Sequence, residues 1–236
     1  THNYLLFSKE DLYHTLDKEK VDIFLEMFSC KPTTLKSFRY YTENNPIELA
    51  PILEISANKY LHICQKQIPI AIYRRMYDFL AKDESLKDKI RRHREKELER
   101  KVAAIFRSVF NDSSSFLYEN YFVINGHEQD LLILTKGTAI IVETKASKLR
   151  EPFRDMQKAV VRLKDDFKEA VQYGYDQCKR MESFFLGHAA FEIRDNKGKV
   201  LYTVNPSKIH SVFSIVVTLE RFGSLQTDLN LLLKKD

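Results

Sequence analysis

Apolar residues recur along this chain with two periods, one helical and one of strands. Ala71, Ile72, Met76, Phe79 and Leu80 recur at helical spacing and predict a helix over 70–80. A longer helix is predicted over 85–110, with Leu86, Ile90, Leu98, Val102, Ile105, Phe106 and Val109 as its apolar positions. The polar run 111–115 breaks it. A third helical pattern lies beyond Pro152, where Val160, Leu163, Phe167, Val171, Gly174, Cys178, Met181 and Phe185 step by three and four. One face of that helix is expected to pack on a sheet, with Gly174 marking a bend or a close contact. Strand patterns occupy 116–124, 131–134, 139–142, 191–193, 200–204 and 211–218. Asp195-Asn196-Lys197-Gly198 is a hairpin turn, and 225–233 reads as a last helix or its beginning.

The N-terminal part carries less pattern. Residues 9–28 read as one or two short helices, with Ser8 as the cap and Leu12, Leu16, Ile23, Phe24 and Phe28 as core. Residues 30–45 read as a loop. A small hairpin is predicted around Ala57-Asn58-Lys59, with His62 in it as a packed or surface side chain.

The stretch that organises the rest is 126–145. Two apolar runs, Leu131-Leu132-Ile133-Leu134 and Ala139-Ile140-Ile141-Val142, flank Lys136-Gly137 and predict a β-hairpin. A turn centred on Lys136-Gly137 puts Asp130 opposite Glu143, and Glu128 opposite Lys145. Side chains alternate faces along a strand, so all four charged groups are expected on one face at the open end of the hairpin. Like charges directly opposite each other repel. Two carboxylates so placed want a cation, and oxygen ligands suit a hard divalent ion such as Mg²⁺ or Mn²⁺. The alternative is that these charges merely solvate a frayed hairpin end. The chain holds four acid-x-Lys triplets, at Glu99, Glu143, Asp166 and Asp195. Only Glu143-Thr144-Lys145 closes an apolar strand with an acid across from it.

Glu128-Gln129-Asp130 followed by Glu143-Thr144-Lys145 resembles the E-x-D…E-x-K active-site hairpin of the PD-(D/E)XK nuclease superfamily, in its nuclease-related-domain form. Gln129 stands where the superfamily's name has proline. Glu99-Arg100-Lys101-Val102 resembles the acid that such nucleases carry on the first core helix, three residues before a buried aliphatic. Residues 175–180 resemble the later helix that bears a glutamine; Gln177 is the candidate and Gln172 the other, and either also reads as an ordinary helix-flank side chain. The order helix, three strands, helix, strands from about residue 86 is the order of the restriction-endonuclease-like core. The fold expected is therefore α/β: a mixed central sheet flanked by helices over 85–236, preceded by a mainly helical extension over 1–84 that includes the small hairpin.

The resemblance implies a Mg²⁺- or Mn²⁺-dependent nuclease acting on phosphodiester bonds, in DNA before RNA. Asp130, Glu143 and the Thr144 backbone carbonyl would hold the metal, with Glu99 completing a position. Lys145 would orient a water or offset charge on the phosphate, Glu128 would fix Lys145 or join the metal cluster, and Gln177 would order the site. His127, beside the cluster, reads as a turn side chain or as a group that holds water or phosphate.

Composition narrows the picture little. The chain has 236 residues, 44% hydrophobic, and a formal charge of +5, permissive of nucleic acid without requiring it. The run Arg91-Arg92-His93-Arg94 is a solvated face or a phosphate contact. Three scattered cysteines without C-x-x-C argue against a disulfide framework or zinc site, and suit a reducing cytoplasm. No apolar run approaches the roughly 18 residues of a membrane span, so no membrane partner is expected. The absent initiator Met and the Lys-Lys-Asp end suggest an excised fragment, with homo-oligomerisation or further domains open. A non-catalytic nucleic-acid-binding or scaffold module on a nuclease-like fold is the competing expectation. A structural domain with a coincidentally acidic hairpin end is the third.

Overall fold

The chain divides into two units, 1–90 and 91–236, and the division falls inside a helix rather than at 84/85. The computed structural model describes residues 5–36, 45–123, 126–147, 150, 155–187, 189–220, 229 and 232–235.

The first unit contains β1 (Leu6–Ser8), α1 (Lys9–Tyr13), α2 (Lys18–Phe28), β2 (Ser29–Cys30), the short helices α3 (Pro32–Leu35) and α4 (Pro46–Leu49), β3 (Ile52–Ser56), β4 (Lys59–His62) and α5 (Gln67–Leu80). Ser8 caps α1 through a reciprocal box with Asp11. The four strands form one sheet in the order β1-β4-β3-β2. The unit is therefore not simply helical with a small hairpin. Strands of two and three residues are too short to show a period, and they form here by adding to the β3–β4 hairpin. Val21, Leu25, Phe28, Ile52, Tyr60 and Ala71 make its core. Leu16 and Ile23, expected inside, are exposed because the buried stripe of α2 runs through Val21, Leu25 and Phe28. The expected loop contains α3; residues 37–44 lie outside the described ones.

The helix α6 (Glu84–Val109) carries the division. The second unit continues with β5 (Ser115–Phe122), β6 (Glu128–Thr135), β7 (Thr138–Lys145), α7 (Met156–Phe167), a π-helical turn (Lys168–Gln172), α8 (Tyr173–Leu186), β8 (Phe191–Arg194), β9 (Val200–Val204), a 3₁₀ turn (Pro206–Lys208) and β10 (Ser211–Thr218). Its six strands lie in the order β10-β7-β6-β5-β8-β9. Strand β6 is antiparallel to both β5 and β7, and β10 runs parallel to β7. A parallel neighbour needs a crossover connection, and α7 and α8 lie in the segment that supplies it. The unit is an α/β structure with a mixed sheet flanked by helices.

The β6–β7 turn is centred on Lys136 and Gly137, both at positive φ (+45° and +77°). That is the backbone of a two-residue turn whose twist matches the flanking strands. The register runs from Thr135 opposite Thr138 to Leu131 opposite Val142, as the hairpin centred on Lys136-Gly137 requires. Alternation then divides the core. Leu132, Leu134, Ala139 and Ile141 pack with Cys178, Met181 and Phe185 of α8. Leu131, Ile133 and Val142 pack with Val102, Leu98 and Phe106 of α6.

Two expectations about the helices need correction. Ile105 and Val109 are exposed, and the stacked rings of Phe106 and Phe110, 6.3 Å apart, cover the sheet instead. The stripe from Val160 to Phe185 is not one continuous face. The π-helical turn accommodates one extra residue and shifts the phase. Phe167 and Ala170 therefore pack with Leu229, Leu232 and Leu233, while Gly174, Cys178, Met181 and Phe185 are buried elsewhere along α8. Val160 is exposed. Most of the last predicted helix, and residues 148–149 and 151–152 of the loop after β7, lie outside the described residues. No described helix is long and apolar enough to cross a membrane.

Candidate active site

The end of the β6–β7 ladder gathers the charged residues, though not on one face. Pairing stops at Leu131 and Val142. One step further, Asp130 Oδ2 accepts hydrogen bonds from the Thr144 backbone N–H (2.6 Å) and the Thr144 hydroxyl (2.8 Å). An acceptor on a neighbouring strand's N–H sits where a ladder carbonyl would sit. The Asp130 carboxylate thus lies between the strands, in the gap where they part, instead of beside Glu143 on a common face. Its Oδ1 accepts no hydrogen bond among the described residues.

On one side of that gap is α6. Glu99, half-buried, lines a cleft with Glu128, Asp130, Asn120 and Lys96. Burial raises the Glu99 pKa, and the charges of Asp130 and Glu128 raise it further. Of the three glutamates in that stretch, Glu97 instead pairs with Arg100 and Glu95 with Arg91 on the surface. Glu99 is the helix acid that reaches the hairpin.

On the other side is α8. Glu143 has no exposed surface, and neither carboxylate oxygen has a hydrogen-bond partner of normal geometry among the described residues. Burial first, and then the Asp130 charge, push its pKa up to about 8; Lys145 and the Asp130 backbone offset only part of this. Lys145 Nζ stands 3.6 Å from Glu143 Oε2. The expected pairing of Lys145 with Glu128 is replaced by this one, since Glu128 is exposed and turned to the Glu99 side. Gly174 of α8 makes room for the arrangement. A Cβ there would come 2.7 Å from Val216 Cγ1 and 3.5 Å from Lys145 Cε.

The remaining candidates separate cleanly. Gln177 is half-buried on α8, one turn after Gly174, and makes no hydrogen bond among the described residues. Gln172 is committed elsewhere: its amide donates to Asp176 and to the Lys234 carbonyl, and its oxygen accepts from the Lys234 N–H. His127 lies against α8 with Gln129, Arg180 and Met181, away from the Glu99 cleft. In the basic run, Arg91 bonds Glu95, and Arg94 is a largely buried partner of Glu220 at 2.6 Å.

Two residues of this neighbourhood were not singled out from the sequence. Tyr121 is wholly buried, its hydroxyl has no partner among the described residues, and its pKa is raised first by burial and then by Glu143. Cys178 is buried, its thiol pushed up to about 12 by burial and by Glu143. Both occur in ordinary apolar patterns, which is why neither drew notice. Tyr121 reaches this layer because Asn120 adopts φ +47° and the alternation of β5 slips there. Tyr118 and Tyr121, three residues apart, consequently pack against the same cluster.

The candidate donors are all oxygens, but they are divided: Glu99 meets Asp130 and Glu128 on the α6 side, and Glu143 meets the Asp130 charge and Lys145 on the α8 side. A buried carboxylate whose oxygens lack partners, raised by a second carboxylate, is chemically suited to a hard divalent cation. No three His, Cys, Asp or Glu side chains among the described residues are grouped to hold an ion by themselves. Mg²⁺ ordinarily keeps several waters and takes substrate oxygens, so one or two carboxylates suffice for it. No protein-family model matches the chain, and neither a curated protein nor a solved structure matches it significantly.

Proposed function

We propose that the second unit is a metal-dependent phosphodiesterase of the PD-(D/E)XK type that cleaves nucleic acid, DNA before RNA. One observation carries the reading: the buried Glu143 carboxyl, whose oxygens have no hydrogen-bond partner among the described residues, feels the Asp130 charge and stands 3.6 Å from the Lys145 ammonium. A structural ion pair would not leave both oxygens of a fully buried carboxylate without hydrogen bonds. The element order supports the same reading, with a helix, a three-stranded antiparallel meander, helices α7 and α8, the β8–β9 hairpin on the far edge and a last strand, β10, parallel to β7.

Asp130, Glu143 and the Thr144 carbonyl would hold Mg²⁺ or Mn²⁺, and Glu99 would complete the set. Such an ion, when bound, polarises a phosphate and lowers the pKa of its water. Thr144 fixes the Asp130 carboxylate through two hydrogen bonds, so that side chain is oriented before anything binds. Lys145 carries positive charge into a largely buried position where it counters charge developing on a phosphate oxygen. Its low exposure strengthens that interaction relative to water. Gln177 would contribute an amide to the same side of the site.

The test is cleavage of a panel of single- and double-stranded DNA and RNA with Mg²⁺ or Mn²⁺, stopped by EDTA. A second reading, a binding or scaffold module without chemistry, draws on the absence of a ready-made three-residue ion cluster among the described residues. Mn²⁺ titration separates the two. A catalytic site binds the ion and loses it in Asp130→Ala, whereas a scaffold shows no difference between the two proteins.

A further inference from the structure

A cavity of about 200 Å³ lies between β6 and α8, lined by Val123, His127, Gln129, Arg180, Met181 and Phe184 among others. Its walls are unlike one another. Val123, Met181 and Phe184 make an apolar floor and side. Arg180 and His127 are exposed, and the Arg180 guanidinium makes no ion pair or hydrogen bond among the described residues. Gln129 is 3% exposed, and its amide Nε2 donates to the Glu128 carbonyl at 3.0 Å. That bond fixes which end of the amide is which, and it leaves Oε1 as an acceptor without a donor among the described residues. A buried, unpaired acceptor is costly unless something supplies an N–H or O–H.

We propose that this cavity receives a nucleobase of the substrate strand. The ligand that matches these walls has a flat apolar body, an N–H edge and an anionic attachment. Phe184 and Met181 offer the face, Gln129 Oε1 the acceptor for the edge, and Arg180 the cation for an adjoining phosphate. The volume is below the ~300–1,000 Å³ of pockets for drug-sized ligands, which limits it to one ring system. Position links it to the carboxylates. Gln129 lies between Glu128 and Asp130 on β6, and Arg180, Met181 and Phe184 follow Gln177 by one and two turns of α8. The proposal rests on the phosphodiesterase reading and adds a base-recognition subsite to it.

The experiment is calorimetric titration in EDTA, so that neither metal nor cleavage is needed. The probes are AMP, CMP, GMP and UMP, ribose 5-phosphate, and a 5′-phosphorylated tetranucleotide of the best-bound base. At least one nucleoside monophosphate should bind saturably, and ribose 5-phosphate at least tenfold more weakly. Gln129→Leu, which removes the acceptor together with the amide's bond to the Glu128 carbonyl, should still unfold cooperatively and should weaken the nucleotide at least tenfold. Arg180→Ala should weaken the nucleotide and ribose 5-phosphate alike. The tetranucleotide should bind at least tenfold tighter than the mononucleotide. The subsite is overturned if no nucleotide binds, if ribose 5-phosphate binds equally, or if Gln129→Leu binds as the parent does. Equal affinity for mononucleotide and tetranucleotide overturns the strand assignment in favour of a free nucleotide. Metal-dependent cleavage by a protein that fails these titrations would sink the subsite and leave the nuclease reading standing.

Discussion

Lys145 Nζ lies 3.6 Å from Glu143 Oε2, two residues along the same strand, with the lysine largely buried and the glutamate wholly so. An ammonium at that distance partly neutralises the carboxylate without hydrogen-bonding it well. The pair is held by β7 packed against α8 at Gly174.

Stability of the metal-free protein should fall as pH rises from about 4.5 to about 8. An unfolded glutamate gives up its proton near 4.5, whereas folded Glu143 keeps its own to about 8. The folded chain therefore binds more protons across that window, and stability declines with pH until both forms are ionised. The contribution is complete below 4.5 and lost above about 8, and its size is on the order of a few kcal/mol. Denaturant titrations in EDTA at pH 5, 6.5 and 8 measure it. Glu143→Gln should flatten the profile; an unchanged slope would assign the dependence to other groups.

Mn²⁺ should stabilise the protein more at pH 8 than at pH 5, because the ion competes with a proton for Glu143. Melting temperatures with and without the ion at both pH values check this. Equal shifts at both would place the ion away from Glu143.

Lys145→Ala should retain Mn²⁺ binding, since an ammonium is not a ligand, and lose about 10²- to 10⁴-fold in cleavage rate. Single-turnover kinetics with saturating metal give the number. A loss of metal affinity together with rate would make Lys145 structural for the ion site.

Asp130→Ala and Asp130→Asn should differ in an informative way. Both should lose metal and cleavage. The alanine also leaves the Thr144 N–H and hydroxyl without their acceptor, which costs about 1–3 kcal/mol of stability, whereas asparagine keeps an acceptor oxygen. Metal affinity retained by either variant would remove Asp130 from the site.

Gly174→Ala should destabilise the fold by about 1–3 kcal/mol, the usual range for overpacking. The new Cβ would stand 2.7 Å from Val216 Cγ1. Val216→Ala in the same chain should recover part of the loss by opening that contact. Denaturant midpoints of the single and double variants measure the coupling; additive losses would mean the two positions do not meet.

Much of the second unit was legible because its elements carry strong local signals. The β6–β7 register was readable from Lys136-Gly137 and the two apolar runs, since a two-residue turn leaves one way to pair the strands. The long helix over 84–109 and strands 200–204 and 211–218 follow from local apolar patterns. The first unit was less legible. Its edge strands exist only because a hairpin is there to receive them, and no local pattern in Leu6–Ser8 or Ser29–Cys30 announces that.

By itself, the sequence determined the register of the hairpin from Thr135 opposite Thr138 to Leu131 opposite Val142, and which helix acid lies in phase with the buried stripe. Those are questions of period and turn length, decided within a few residues of chain. Only the tertiary structure decided where the charges go. Pairing ends one residue short of Asp130, so its carboxylate turns to the N–H of Thr144 and lies between the strands. The positive φ at Asn120 brings Tyr121 into the layer near Glu143, and Gly174 lets α8 close over Lys145. Strand ends, backbone slips and close approaches depend on what packs from elsewhere in the chain, and local periodicity does not carry that information.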